Sequence, residues 1–195
     1  MKVKKIGITG GIGSGKTTVC RIFETLGIPV YYADEEAKRI MVEDADLVHR
    51  IKETFGENSY INGVLNRAYL AKLVFKDENL LKKLNKIVHP ALWRDYEKWH
   101  NQKKDTPYTL EEAAILFEMG GAERMDSIIV VYAPLEIRIK RVMERDGAKR
   151  EEVLDRVSKQ MPDEEKVKKA DFVIYNDGDK SLIEQVVTIH RSLIG

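Results

Sequence analysis

Gly10-Gly11-Ile12-Gly13-Ser14-Gly15-Lys16-Thr17 fits the phosphate-binding pattern G-x-x-x-x-G-K-[ST], a loop that works only between a strand and the start of a helix. The apolar run Val3 to Thr9 before it reads as a strand. Behind it, Val19, Ile22, Phe23 and Leu26 recur at helical spacing as far as Gly27, which reads as a C-cap. Strand, glycine loop and helix in this order commit the chain to an α/β fold with an anion site at one sheet edge. Glycines let successive backbone N–H groups converge on phosphate oxygens, and the helix dipole adds to their pull. Gly11, Ile12, Gly13, Ser14, Gly15 and Thr18 are thus expected around the nucleotide. Lys16 is expected to reach its β- and γ-phosphates, and Thr17 to offer a hydroxyl to Mg²⁺.

Five β-rich runs separate helical stretches: Val3 to Thr9, Ile28 to Tyr32, Ala113 to Phe117, Ser127 to Tyr132 and Asp171 to Tyr175. Such alternation predicts a five-stranded, parallel, doubly wound sheet, with ligands outside the carboxyl ends of the strands. Residues following strands are therefore the place to look for chemistry: the glycine loop, Tyr32 to Asp34, Glu118 to Gly121, Ala133-Pro134 and Asn176 to Gly178. Two helical segments fall outside this pattern. The stretch 34–105 has room for three or four helices, and its apolar stripe Leu81, Leu84, Val88, Leu92, Tyr96, Trp99 crosses Pro90, where a kink or break is expected. The stretch 136–169 carries Arg138, Lys140, Arg141, Arg145, Lys149 and Arg150 against Glu144 and Asp146, and beside a phosphate loop it reads as a cationic lid. A closing helix is expected over Ser181 to Leu193.

At 195 residues, one domain is expected, with core segments 1–33, 106–135 and 170–195, a helical insertion at 34–105 and a lid at 136–169. Basic and acidic residues number 33 and 32, so no general field draws the chain to nucleic acid or to an anionic membrane. No apolar run approaches the roughly 20 residues that span a bilayer. The one cysteine, Cys20, lies on the apolar side of the loop helix and reads as a packed thiol, which points to a reducing cytoplasm. His100 and His190 have no neighbours in sequence that suggest metal ligation.

A guanine-specific switch needs an Asn-Lys-x-Asp segment where this chain has Tyr175-Asn176-Asp177-Gly178. Small size, the helical insertion and the Arg-rich segment instead suggest a kinase for a small metabolite. Phosphoryl transfer asks for positioning and charge neutralisation. Arg141 and Arg145, four apart, share a helix face and are expected to reach the phosphates on closure. Asp34, at the end of the second strand and expected beside the loop, is the candidate to accept the proton of an acceptor hydroxyl, to orient that hydroxyl, to hold Mg²⁺ through water, or to cap the next helix.

These residues carry a resemblance to the dephospho-CoA kinase family over nearly the whole chain. It runs through Thr9 to Thr17, Ala33-Asp34, Arg67, His89-Pro90, Leu116-Phe117-Glu118, Arg145-Asp146-Gly147, Gln160, Lys166, Ala170-Asp171 and Asn176. The resemblance implies ATP- and Mg²⁺-dependent phosphorylation of the ribose 3′-hydroxyl of dephospho-CoA, the last step of coenzyme A biosynthesis. A monomer or small homo-oligomer is expected. It implies Asp34 as base, with Lys16, Thr17 and Arg145 serving ATP and the transferred phosphoryl group. Asn176 would lie near adenine, and Thr9, Arg67, His89 and Glu118 on the acceptor side. Three positions depart from the family pattern: Tyr32 replaces the first acid of Asp-Ala-Asp, Ala114-Ile115-Leu116 replaces Pro-Leu-Leu, and Arg138 replaces a glutamine. Kinases for nucleoside monophosphates, nucleosides or shikimate share sheet, loop and lid; Arg67 and His89-Pro90 favour dephospho-CoA. An ATP-binding regulatory module without turnover is the rival from another class.

Overall fold

The structure, a computed structural model, describes residues 2–195, the side chain of Lys76 excepted, and Met1 of the first predicted core segment lies outside them. Two units are distinct: one made of the chain up to Tyr32 together with Lys103–Gly195, the other of Ala33–Gln102.

The first unit is built on a five-stranded parallel sheet. Its strands are β1 (Lys4–Thr9), β2 (Val30–Tyr32), β5 (Tyr108–Glu112), β6 (Ser127–Tyr132) and β7 (Phe172–Tyr175). Their order is β2-β5-β1-β6-β7. Four of the five predicted strands are found with ends shifted by two residues at most. The third is not: the strand beside β1 is Tyr108–Glu112, and Ala113 to Phe117 follows it as turns. Packing gives the reason. Gly7 leaves no side chain on its face of β1, and Leu116 fills that space, 2.5 Å from where a Cβ would stand. The segment thus lies over the sheet instead of within it. The register Ile8↔Glu112 then brings Glu111-Glu112 to the carboxyl edge, a place the sequence reading gave to Glu118.

On the other face, Ile6, Ile8, Tyr108, Leu110, Ile129 and Val131 alternate along their strands. They form one core with Val19, Cys20 and Phe23 of α1 (Lys16–Thr25) and Val186, Ile189 and Leu193 of α9 (Leu182–Ile194). α1 stops where Gly27 takes φ +80° and donates its N–H to the Glu24 carbonyl at 2.9 Å, a left-handed stop that glycine accepts without strain. Ser181 caps α9, and Ile183 in its first turn faces solvent. The Arg-rich stretch folds as α6 (Leu135–Asp146), α7 (Arg150–Ser158) and α8 (Asp163–Lys168).

The second unit holds α2 (Ala33–Glu43), α3 (Ala45–Phe55), α4 (Arg67–Lys76) and α5 (Glu78–Asn101). Asp44 and Asn66 cap α3 and α4 by accepting from Leu47 N and Tyr69 N at 3.1 and 3.2 Å. A hairpin of β3 (Tyr60–Ile61) and β4 (Val64–Leu65) turns on Asn62-Gly63, both at positive φ, 50° and 78°. This is the pair of residues that a tight two-residue hairpin turn favours. Pro90 does not split α5, which continues through it. The missing N–H costs one helical bond, while Ile87, Val88, Ala91, Leu92 and Tyr96 on both sides of it are buried along one stripe and hold the helix together.

Candidate functional site

The glycine loop occupies Gly10 to Gly15, between β1 and α1. Gly13 at φ +79° lies so close to α6 that a Cβ would meet the Arg138 carbonyl at 2.6 Å, and a Cβ on Gly15, at φ +96°, would strike the Asn176 amide. Left-handed backbone and close approach coincide at both positions, so only glycine fits. Ser14 Oγ is buried with no hydrogen-bond partner among the described residues, while Thr17 and Thr18 on the first turn of α1 are exposed. The Lys16 ammonium donates to the Gly10 carbonyl at 3.0 Å and stands 3.8 Å from Glu112 Oε1, both side chains about nine-tenths buried. Burial, with Glu112 nearby, pushes the Cys20 thiol far above its ordinary range, so it stays protonated and inert.

A second layer grips the loop from outside. Ile12 N–H donates to Gln160 Oε1 at 2.9 Å, and the Asn176 amide donates to the Ser14 carbonyl at 2.7 Å. Arg141 Nη2 donates to Asn176 O at 3.1 Å, and Arg141 Nη1 is buried without a partner among the described residues. Arg141 and Asn176, expected near the nucleotide, therefore meet each other beside the loop. Arg145 binds Asp146 at 2.7 and 3.1 Å, and Arg156 reaches the same carboxylate at 3.0 Å. Arg145, with Arg156, holds the Asp146 carboxyl below its usual value.

Glu118, expected to face the acceptor, accepts from Met161 N–H at 2.7 Å and lies 3.1 Å from the ammonium of Lys166, which is wholly buried. Lys166 donates as well to the Ala114 carbonyl at 3.1 Å, toward which Thr9 Oγ1 also points at 3.4 Å. Tyr32 packs on the sheet core, and its hydroxyl bonds the Glu24 carboxylate. It thus supplies no acid in place of the family's aspartate. The strand beside β1 on that side is β5, so β2, which Asp34 follows, is an edge strand and not the loop's neighbour.

In the second unit, α2 begins at Ala33, so Asp34 sits in its first turn, exposed, and is not its cap. Arg67 opens α4 and is exposed. His89 is half-buried on α5, and burial lowers its pKa from the ordinary value of 6.5.

Glu112 is the main residue that sequence reading missed. Its signal is the β-rich Tyr108-Thr109-Leu110 just before it, which the two glutamates obscured.

A family model described as CoaE, dephospho-CoA kinase, matches residues 4–181. The chain belongs to the dephospho-CoA kinase family. A dephospho-CoA kinase of Bacteroides fragilis is 41% identical over 185 residues, covering 95% of this chain and 90% of its relative. Among solved structures, TT1252 from Thermus thermophilus superposes with a TM-score of 0.87 at 38% identity and covers 98% of both chains. Dephospho-CoA kinase from Campylobacter jejuni does so with a TM-score of 0.72 at 29% identity, covering 97% of this chain and 96% of its own. Family membership thus extends across both units and accounts for more than the shared glycine loop.

Proposed function

We propose that the chain transfers the γ-phosphoryl group of ATP to the ribose 3′-hydroxyl of dephospho-CoA, giving CoA and ADP in the last step of coenzyme A biosynthesis. The observation that carries this reading is the match of the family model over 4–181, which takes in the glycine loop and the whole Ala33–Gln102 unit. In this reading the loop amides and Lys16 hold the β- and γ-phosphates, and Arg141 and Asn176 frame the base end of the nucleotide. Arg145, exposed at the end of α6, turns toward the phosphoryl group as the distal part of 136–169 closes. Preorganised cations of this kind stabilise charge that develops during transfer and need no covalent step.

The donor set fits Mg²⁺, a hard cation that takes oxygen ligands and shares itself between substrate phosphates and one or two protein groups. The Thr17 hydroxyl and the Glu112 carboxylate are such donors, and Glu112 already stands within 3.8 Å of the lysine that meets the phosphates. When bound, the ion would neutralise phosphate charge. Asp34 takes or orients the proton of the 3′-hydroxyl. Arg67 and His89 belong to the acceptor-holding unit 33–102. We read Glu118 with Lys166 and Thr9 as bracing the carboxyl edge on the acceptor side, since the Glu118 carboxylate is spent on Met161 and Lys166. No helix among the described residues is long and apolar enough to cross a membrane. We place the reaction in the cytoplasm, in a monomer or small homo-oligomer that needs neither nucleic acid nor membrane.

The test is product identity. Incubation with Mg-ATP and dephospho-CoA should give one ADP per CoA, with the phosphorus resonance of a ribose 3′-monoester. Phosphate on any other oxygen would overturn the assignment.

A further inference from the structure

Arg138 and Asp163 form an ion pair at 2.9 Å with side chains only 7% and 4% exposed, and both lie against the glycine loop. A Cβ on Gly11 would stand 2.8 Å from Asp163 Oδ1 and would run into the Arg138 guanidinium. The Asp163 carboxyl thus lies against Gly11, whose N–H favours its charged form. Arg138 donates from Nε to the Ala133 carbonyl at 3.1 Å, just past β6, and from Nη1 to the Ile12 carbonyl at 3.4 Å. With Gln160 on Ile12 N–H, the backbone groups of the loop's first half are bound by side chains of the Arg-rich stretch. The N–H groups of Gly13 and Gly15 in the second half have no partner among the described residues.

We propose that the Arg138–Asp163 pair is a positioning device for ATP: it clamps Gly11 and Ile12 so that the second-half amides are aimed at phosphate before nucleotide arrives. A buried ion pair is weak evidence for stability, since apolar residues of equal volume often hold a fold as well. Here each charged group also takes a backbone group of the loop, which an apolar pair cannot do. Asp163 is further dependent on its partner, because burial raises its pKa and Arg138 opposes that rise. The inference rests on the loop being the ATP site.

Two neutral double variants isolate the clamp. Arg138→Gln with Asp163→Asn keeps an acceptor for Gly11 N–H, and Arg138→Gln with Asp163→Leu removes it. Measured by calorimetric titration below their melting transitions, the Asn form should bind ATP within about threefold of the parent. The Leu form should bind about tenfold more weakly, the scale of one lost hydrogen bond at a buried group, with KM for dephospho-CoA unchanged in both. Equal ATP affinity in the two, with only the melting temperature altered, would overturn the proposal. A measurement on the unaltered protein needs no variant to fold: the Gly11 amide should resist hydrogen exchange without nucleotide, and rapid exchange there would also overturn it. Failure of the parent to bind ATP would instead overturn the reading of the loop.

Discussion

The two units treat charge in opposite ways. Glu111, Glu112, Arg138, Asp163 and Lys166 are buried, and all five belong to the sheet unit; among the described residues the 33–102 unit buries only Ser59 and His100 of its polar side chains. Its charges stay outside, as where Arg39, half-exposed, bridges Glu43 at 2.8 Å and Asp95 at 2.6 Å. Buried charge is costly unless paired, and strong where it is paired, because little water screens it. A protein that moves a phosphoryl group has reason to fix such charges in advance at the carboxyl edge of its sheet. The 33–102 unit, which we propose holds the acceptor, is instead organised around the buried apolar stripe Ile87, Val88, Ala91, Leu92 and Tyr96. In the proposed reading, the electrostatics of the reaction are built into one unit and the fit of the acceptor into the other.

Substitutions can break this division or sharpen it. Asp34→Asn, on the acceptor unit, should lower kcat about 10³-fold, within the usual worth of a general base, with ATP affinity kept. Turnover like the parent's would place the chemistry wholly in the sheet unit. Lys16→Ala should lower kcat about 10²-fold, as loss of one charge-stabilising donor does, and take away the ammonium that stands beside Glu112; dephospho-CoA affinity should hold, and its loss would mean that the units do not divide the labour. Arg39→Ala should lower the melting midpoint by about 2–4 °C, the worth of about 1 kcal/mol from half-exposed ion pairs in a chain of this size. Its kcat should not move.

The smallest expected effect concerns pH. Burial lowers the His89 pKa below 6.5, so the unfolded chain binds more protons in that window, and stability is lost as pH falls below 6.5. His89→Gln should flatten that acid limb in thermal melts, and an unchanged limb would exclude His89 as its source.

Much of this was legible in the sequence because local rules agreed with the tertiary outcome. Val3 to Thr9, the glycines and the α1 stripe fix one another's positions. Ile128 to Val131 is apolar throughout, as a strand covered on both faces must be. The departures have two causes: a local signal overridden by packing, or one passed over. Glu111-Glu112 looks like an interruption, yet parallel pairing with β1 keeps both in the strand. Pro90 reads as a kink or a break, and the buried stripe, which runs on through it, excludes the break. Asn62-Gly63 signals a hairpin and was hidden inside a stretch read as helical. The partners around the loop were less legible still. Lys16 is 96 residues from Glu112, and Arg138 is 25 from Asp163, so only the folded topology joins them.

The most direct test of the account is ADP release with Mg-ATP across dephospho-CoA, AMP, CMP, a nucleoside and shikimate. The account predicts strong turnover on dephospho-CoA alone, with CoA as product. Preference for AMP or CMP would leave the phosphate loop standing and contradict the role given to the 33–102 unit, and no turnover on any of them would contradict the kinase itself.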